Sequence, residues 1–129
     1  MGSLTNYGEI ALLKHFTKET AYSPAATLYL ALATSDPGEA ATGASMNEVA
    51  NSGSYARIAI AFGAAASRRI TQNATSTFAA ASGSWGTITH WAIVDSATYG
   101  AGNVLAYGAL GASKSVISGN TPSVASGEV

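Results

Sequence analysis

The stretch WGTITHWAIVD, residues Trp85 to Asp95, has the most regular alternation of side chains in the sequence. In an extended chain successive side chains point to opposite faces. One predicted face carries Trp85, Thr87, Thr89, Trp91 and Ile93, and the other carries Ile88, His90, Ala92 and Val94. The stretch therefore predicts a β-strand, the strongest of the chain.

A second alternating stretch, TLYLALA, lies at residues 27–33. Leu28, Leu30 and Leu32 share one face of the predicted strand. Asp-Pro-Gly at residues 36–38 follows, and these residue types strongly favour a turn. We therefore expect the strand to end before this turn.

The stretch GSYARIAIAF, residues 53–62, places one arginine inside an otherwise apolar run. Alternation puts Ile58 and Ile60 on one face and Tyr55 and Arg57 on the other. We therefore expect Arg57 to lie on the wetter face of a half-exposed strand. The alternative is that Tyr55 and Arg57 belong to a contact surface, since tyrosine and arginine are enriched in protein interfaces.

Shorter and weaker strand patterns complete the predicted sheet structure. They lie, with turns between them, at residues 69–71, 75–80, 104–110 and 114–117. Several short strands separated by turns are typical of antiparallel sandwiches and barrels. The sequence predicts a single, mainly β domain over residues 1–129, with an antiparallel β-sandwich or barrel-like (jelly-roll-like) fold from about residue 26 and one N-terminal α-helix.

The helix is predicted at about residues 6–18. Asn6 is the expected N-cap, with Glu9 three residues later in the spacing of a capping box. The apolar stripe consists of Ile10, Leu13 and Thr17, widened by Leu12 and Phe16. Such a stripe needs a covering surface, most simply the body of the domain. A contact with a partner is the alternative.

The composition argues against several classes of protein. Charged residues make up 10% of the chain and the formal net charge is −1, so no basic stripe for nucleic-acid binding is expected. No apolar run approaches the roughly 20 residues of a membrane span. The sequence has no cysteine and no secretory signal pattern at its amino terminus. Because much of the apolar content is alanine, we expect the domain to be stabilised by association into an oligomer.

No catalytic, cofactor-binding or metal-binding constellation is predicted. His15 and His90 are far apart in the sequence and lack metal-ligand spacing. Asp36 and Glu39 flank a Pro-Gly turn, where aspartate is a turn former. These two carboxylates are the only basis for a hydrolase hypothesis, and we expect the protein not to be an enzyme.

A sugar-binding role is the alternative that the tryptophans suggest. Trp85 and Trp91 point to the same predicted face but lie about 20 Å apart along it, so they could not flank one sugar unit. Residues 39–54 form a long loop rich in small and polar residues, and such loops are often functional or mobile. A glycan or receptor contact through this loop and exposed aromatic residues stays open.

Five segments in order resemble a family of small tailed-bacteriophage virion proteins: SLTNYGEIALLKH, ATLYLALATSDPGE, GSYARIAIAF, SWGTITHWAIVD and VLAYGAL. Members are commonly labelled phage tail fibre proteins, and they are similar in size and pattern to capsid decoration proteins. The resemblance covers nearly the whole chain, and its most specific parts are DPGE, GSYAR and SWGTITH. It implies a non-enzymatic, β-rich structural protein that is added to a virion in many copies.

The resemblance also implies partners and a location. The expected partners are further copies of the chain, as a homotrimer, and the major capsid or tail proteins of a virion assembled in the host bacterial cytoplasm. The candidate subunit or virion contacts are Tyr55, Arg57, Ile10, Leu13 and Trp85. The function would be capsid decoration or cement, or a short tail-fibre-like appendage; the alternative is a receptor- or glycan-binding module of a phage tail.

One departure from the family concerns the carboxyl-terminal end. The resemblance implies that relatives continue past Val129 with an alternating strand, whereas this sequence stops at Val129. We therefore expect a short or missing closing strand. An unpaired edge of this kind can be completed by a neighbouring subunit.

Overall fold

The computed structural model describes residues 2–129, which contain one helix and seven strands. The elements in chain order are β1 (Gly2–Leu4), α1 (Asn6–Phe16), β2 (Leu28–Ala33), β3 (Ile58–Ile60), β4 (Ser76–Thr77), β5 (Gly86–Val94), β6 (Val104–Val116) and β7 (Ser123–Val124). The three strongest predicted strands correspond to β2, β3 and β5. All three segments are extended, as the alternation of their side chains predicts.

Five strands form one antiparallel sheet in the order β1-β6-β5-β2-β3, and β4 pairs with β7 in a second, two-stranded sheet. The predicted fold class is confirmed: the described chain is mainly β and antiparallel, with one N-terminal helix. Since β1 and β3 are edge strands, the larger sheet is open rather than closed into a barrel.

Both faces of β2 are buried. Leu30 and Leu32, on the predicted apolar face, are 0% and 3% exposed and belong to the main core. Ala31, on the other face, packs in a second cluster with Met46 from the loop before β3. The leucine side chains therefore face the main core, which is the thicker layer. The small alanine side chain on the other face allows the loop that contains Met46 to lie close to the sheet.

The alternation predicted for β5 is wrong at Ile88. This residue is 1% exposed and lies in the same cluster as Trp85 and Trp91, although a strict period of two places it on the opposite face. Two irregularities change the period: Gly86 has a φ of +77°, and the register with β6 shifts between Ile88 and His90. A shift of this kind turns the following side chains to the other face.

The strands predicted at 104–110 and 114–117 are one strand, β6. The register shift places residues 110–113 of β6 opposite the single residue Thr89 of β5. Glycine, alanine and serine at 111–113 have low strand propensity, so the sequence predicts a break there. Pairing with β5 on both sides of the shift keeps the strand continuous.

The small sheet contributes to the main core. Phe78, next to β4, and Val124, in β7, are each 2% exposed and lie in the main cluster. The weak strands predicted at 69–71 and 75–80 are only partly confirmed: β4 lies within the second range, and in the first only Arg69 pairs, with Ala66, in an isolated bridge. The two sheets therefore share one core, as in a sandwich.

The N-cap of α1 is Thr5 and not the predicted Asn6. The Thr5 hydroxyl accepts a hydrogen bond from the Gly8 backbone N at 3.2 Å. The same hydroxyl is buried and donates to the Val104 carbonyl oxygen. The start of the helix is therefore tied to β6, and the helix ends at Phe16, slightly before the predicted end.

Candidate interaction surface

One side of α1 packs closely on the body of the domain. Gly8 is buried, and a Cβ atom added there would lie 2.5 Å from the Leu105 carbonyl oxygen. Ala11 and Leu12, on the same side, are half-buried. The absence of a side chain at Gly8 lets the helix approach the β6 backbone this closely. The helix is therefore seated on the body through its small-residue side.

The opposite side of α1 is exposed and apolar. Ile10, Leu13 and Phe16 are 53%, 61% and 73% exposed, and we refer to these three residues as the helix stripe. At 3.6 residues per turn, Ile10 and Leu13 lie roughly 140–160° around the helix from Gly8, and Phe16, at the edge of this side, lies roughly 80° from it. The prediction that this stripe docks on the body is wrong, because the body packs against the Gly8 side.

The chain after α1 folds back beside the helix without covering the helix stripe. The Tyr22 backbone N donates to His15 Nδ1 at 3.2 Å. Residues 20–23 and Lys14 help to line a shallow groove of about 300 Å³ between the two segments. Lys14 also forms an ion pair with Glu19 at 3.4 Å, and both side chains are largely exposed.

The prediction that Arg57 lies on a wet face is wrong. Its side chain is 1% exposed, and its Nε and Nη2 atoms each donate to a different carboxylate oxygen of Glu48 at 2.8 Å. Nη1 and Nη2 also donate to the carbonyl oxygens of Gly43, Ser96 and Ala101 at 2.8–3.1 Å. A buried guanidinium requires such complete pairing. Arg57 therefore holds two loops together inside the protomer, the loop between β2 and β3 and the loop between β5 and β6.

Tyr55 belongs to the same internal network. It is 5% exposed, and its hydroxyl donates to Glu48 Oε1 at 2.7 Å and accepts from the Leu32 backbone N at 3.1 Å. Burial, and then the negative charge of Glu48, hold the pKa of Tyr55 well above its usual range. Alternation fails here because residues 55–57 precede β3 and are not part of the sheet ladder. Tyr55 and Arg57 therefore expose almost no side chain to a partner.

Trp85 and Trp91 are core residues. Each is 4% exposed, and Trp85 Nε1 donates to the Gly53 carbonyl oxygen at 2.8 Å. Trp91 lies against the cross-strand pair Gly2 and Gly108, where an added Cβ atom would come within 2.5 and 2.6 Å of its ring. Neither tryptophan exposes a ring face for a sugar, and the predicted contact through Trp85 is not available at the surface.

An apolar groove of about 600 Å³ lies beside β1. It is lined mainly by apolar side chains from the five-stranded sheet and from the loop after β3: Leu4, Leu28, Phe62, Ile70, Ile93 and Leu105. Arg68, Arg69 and Glu128 also line it. Trp91 forms part of the wall, and within residues 2–129 its buried Nε1 has no hydrogen-bond partner. The groove is a concave surface of the size that ligands or partner side chains occupy.

The residues considered for catalysis have structural contacts or lie apart. Asp36 Oδ1 accepts from the Gly38 backbone N at 2.9 Å, which closes the predicted turn. His15 lies on α1, whereas His90 lies in β5. Within residues 2–129 no group of three or more His, Cys, Asp or Glu side chains is placed to hold a metal ion. The helix of this range is too short and too polar to cross a membrane.

Sequence reasoning does not identify Glu48, although this residue allows Arg57 to be buried. One signal is present in the sequence: Glu48 is the only acidic residue between Glu39 and Asp95. A lone carboxylate a few residues before a lone arginine in an apolar run is compatible with a buried ion pair. Of the five predicted contact residues, Ile10 and Leu13 are the two that the structure leaves on the surface.

The chain matches a known protein family. A family model described as podophage GP4 fiber I protein gp80 matches residues 3–129. A search of the curated proteins gives no match. The matched range includes all of the elements from α1 to β7.

Proposed function

Since the chain belongs to the podophage GP4 fiber I protein gp80 family, we propose that it is a non-enzymatic, multi-copy component of the virion surface. The family membership confirms the predicted relation to phage tail fibre proteins and makes the chain a phage structural or fibre component. We propose a short fibre-like appendage in preference to capsid decoration, because the matched family is described as a fibre protein.

The observation that carries the proposal is the exposed helix stripe. Ile10, Leu13 and Phe16 are each more than half exposed on a helix whose other side is firmly seated. Contiguous apolar surface on a soluble protein is characteristic of contact sites. We propose that this surface joins copies of the chain in a homotrimer. Ile10 and Leu13 are then the subunit contacts, and the further partners are the major capsid or tail proteins of a virion assembled in the bacterial cytoplasm.

The alternative function, a receptor- or glycan-binding module, is not favoured. Its predicted contacts are the loop at residues 39–54 and exposed aromatic residues, and the sugar contact is suggested by Trp85 and Trp91. Both tryptophans are buried. The loop is held against the body because Arg57 binds Gly43 and Glu48, which leaves it less free to adapt to a ligand.

Counting the chain in purified phage particles tests the proposal. Quantitative mass spectrometry of washed particles is expected to find many copies per particle, in a multiple of three, at a constant ratio to the major capsid protein. The capsid protein in the same sample is the internal standard. Absence of the chain from washed particles, or a single copy in each, would overturn the proposal.

A further inference from the structure

Ile10 and Leu13, on the exposed side of α1, have the spacing of one a–d pair of a heptad. When Ile10 is placed at heptad position a, Leu13 falls at position d, and these two positions form the seam between parallel helices. Gly8 then falls at position f, which points away from the seam. Gly8 is the residue that packs on β6. The body of the protomer and the predicted seam therefore lie on opposite sides of α1, so the body does not obstruct a second helix.

The charges beside this seam are complementary in one orientation. Glu9 falls at position g and Lys14 at the following position e, and residues at g and e form ion pairs between parallel helices. Within one helix the two residues are five positions apart, so they do not face each other. In an antiparallel pair both Lys14 side chains would lie on the same side of the seam, and both Glu9 side chains on the other. Charge therefore favours the parallel arrangement.

Both charged residues are accessible in the protomer. Lys14 pairs only with Glu19, at 3.4 Å, and the two side chains are 45% and 64% exposed. An exposed pair of this kind contributes little and exchanges readily. Glu9 is exposed and forms no ion pair within the described chain. A second helix could therefore engage both residues without unfolding any part of the protomer.

We propose that copies of the chain associate through parallel, in-register packing of their α1 helices, with Glu9 of one copy paired with Lys14 of the next. This inference rests on the proposed function, since it identifies the contact by which the copies join. A helix as short as α1, with 11 residues, is marginal alone, but here it is already held by the body. Around a threefold axis each Glu9 meets the Lys14 of the neighbouring copy, so the same contact serves a trimer.

Charge exchange tests the ion pair. Glu9→Lys and Lys14→Glu, each alone, are expected to raise the dissociation constant about 3- to 10-fold in sedimentation experiments, because like charges then face each other across the seam. The double variant is expected to return to within about 2-fold of the wild type. Both changes oppose the helix dipole, so the recovery cannot come from a more stable helix. A double variant weaker than either single variant would overturn the pair.

Two further variants test the seam and its direction. Leu13→Asp is expected to abolish association, whereas Ile117→Asp, at an apolar residue that is 59% exposed outside the helix, is expected to leave it unchanged. Because the sequence has no cysteine, Ile10→Cys adds a single thiol. Parallel, in-register helices bring the two thiols together, so mild oxidation is expected to give a disulfide-linked dimer. No linked dimer from a chain that still associates would overturn the parallel arrangement.

The outcomes separate this inference from the proposed function. An oligomer that Leu13→Asp leaves intact would place the subunit contact elsewhere and overturn the inference, while the proposed virion role would stand. A wild-type chain that stays monomeric in solution would also overturn the inference. The number of copies in particles would then decide the proposed function independently.

Discussion

At the scale of single residues, the ion pair between Arg57 and Glu48 is the most consequential contact in the interior. The two side chains are 1% and 4% exposed, and the guanidinium donates five hydrogen bonds. Removing one partner would leave the other as a buried, uncompensated charge, which costs more than the intact pair contributes. The pair therefore makes the position of the loops depend on two residues.

Arg57→Met is expected to lower the free energy of unfolding by about 3–5 kcal/mol, because it leaves the Glu48 carboxylate buried without its partner. Denaturant titration followed by tryptophan fluorescence measures the change. The matched control is the double variant Arg57→Met/Glu48→Gln, which removes both charges and is expected to be more stable than the single variant. A double variant at least as unstable as Arg57→Met would contradict this account of the pair.

Tyr55 predicts a dependence on alkaline pH. Its pKa in the folded protein is raised by burial and by Glu48, whereas in the unfolded chain tyrosine loses its proton near pH 10, at about its ordinary pKa. Above that pH the unfolded state binds fewer protons than the folded state, so the free energy of unfolding falls as pH rises, and below it Tyr55 has no effect.

Denaturant unfolding between about pH 9 and pH 11 tests this dependence. Tyr55→Phe is expected to make the alkaline fall in unfolding free energy shallower. If the unfolding free energy fell equally steeply with pH for Tyr55→Phe and the wild type, Tyr55 would not be the source of the alkaline fall.

The internal position of Arg57 could not be predicted from its own neighbourhood. Alternation assigns Arg57 to the outer face, and this would hold if residues 55–57 continued β3. Positive φ values at Gly53 and Ser54 and the distant partners of Arg57 give the segment another path. Those partners, from Gly43 to Ala101, come together only in the folded chain, so no local pattern reveals them.

At the scale of elements, Gly8 determines how α1 sits on β6. The helix backbone lies so close to β6 that a Cβ atom at Gly8 would be 2.5 Å from the Leu105 carbonyl oxygen. From helix propensity alone alanine would be preferred here by about 1 kcal/mol. Close packing on the sheet therefore outweighs propensity at this position.

Gly8→Ala is expected to destabilise the protein by about 1–3 kcal/mol, because a backbone atom must move to admit the methyl group. Thermal unfolding followed by circular dichroism measures the change. Gly111→Ala, where an added Cβ atom has open space, is the matched control and is expected to change stability by less than about 0.5 kcal/mol. If Gly8→Ala instead raised the melting temperature, the close packing described for α1 would be incorrect.

The existence of the strands was predictable, whereas their irregularities were not. A period of two locates β2 and β5 because each has apolar side chains that must be sorted between two faces. The face of Ile88 and the continuity of β6 depend instead on how β5 and β6 pair across the register shift. Pairing is a property of two distant segments, and neither segment alone specifies it.

At the scale of the whole molecule, the protomer pairs its buried charges and covers its sheet, but it leaves the helix stripe exposed. The buried charges are paired, and the five-stranded sheet is covered on both faces at its centre. The sequence correctly predicts that Ile10 and Leu13 share an apolar side of α1. It wrongly adds Leu12 to that side, because Leu12 is half-buried on the Gly8 side, which packs on the body. The stripe is therefore available for the association between copies that we propose.

A cryo-electron-microscopy map of the intact phage particle tests the central claim most directly. We expect several copies of the chain around a symmetry axis, with the α1 helices parallel and next to that axis and Ile10 and Leu13 between them. Isolated copies, or copies in contact whose α1 helices face solvent, would contradict the account.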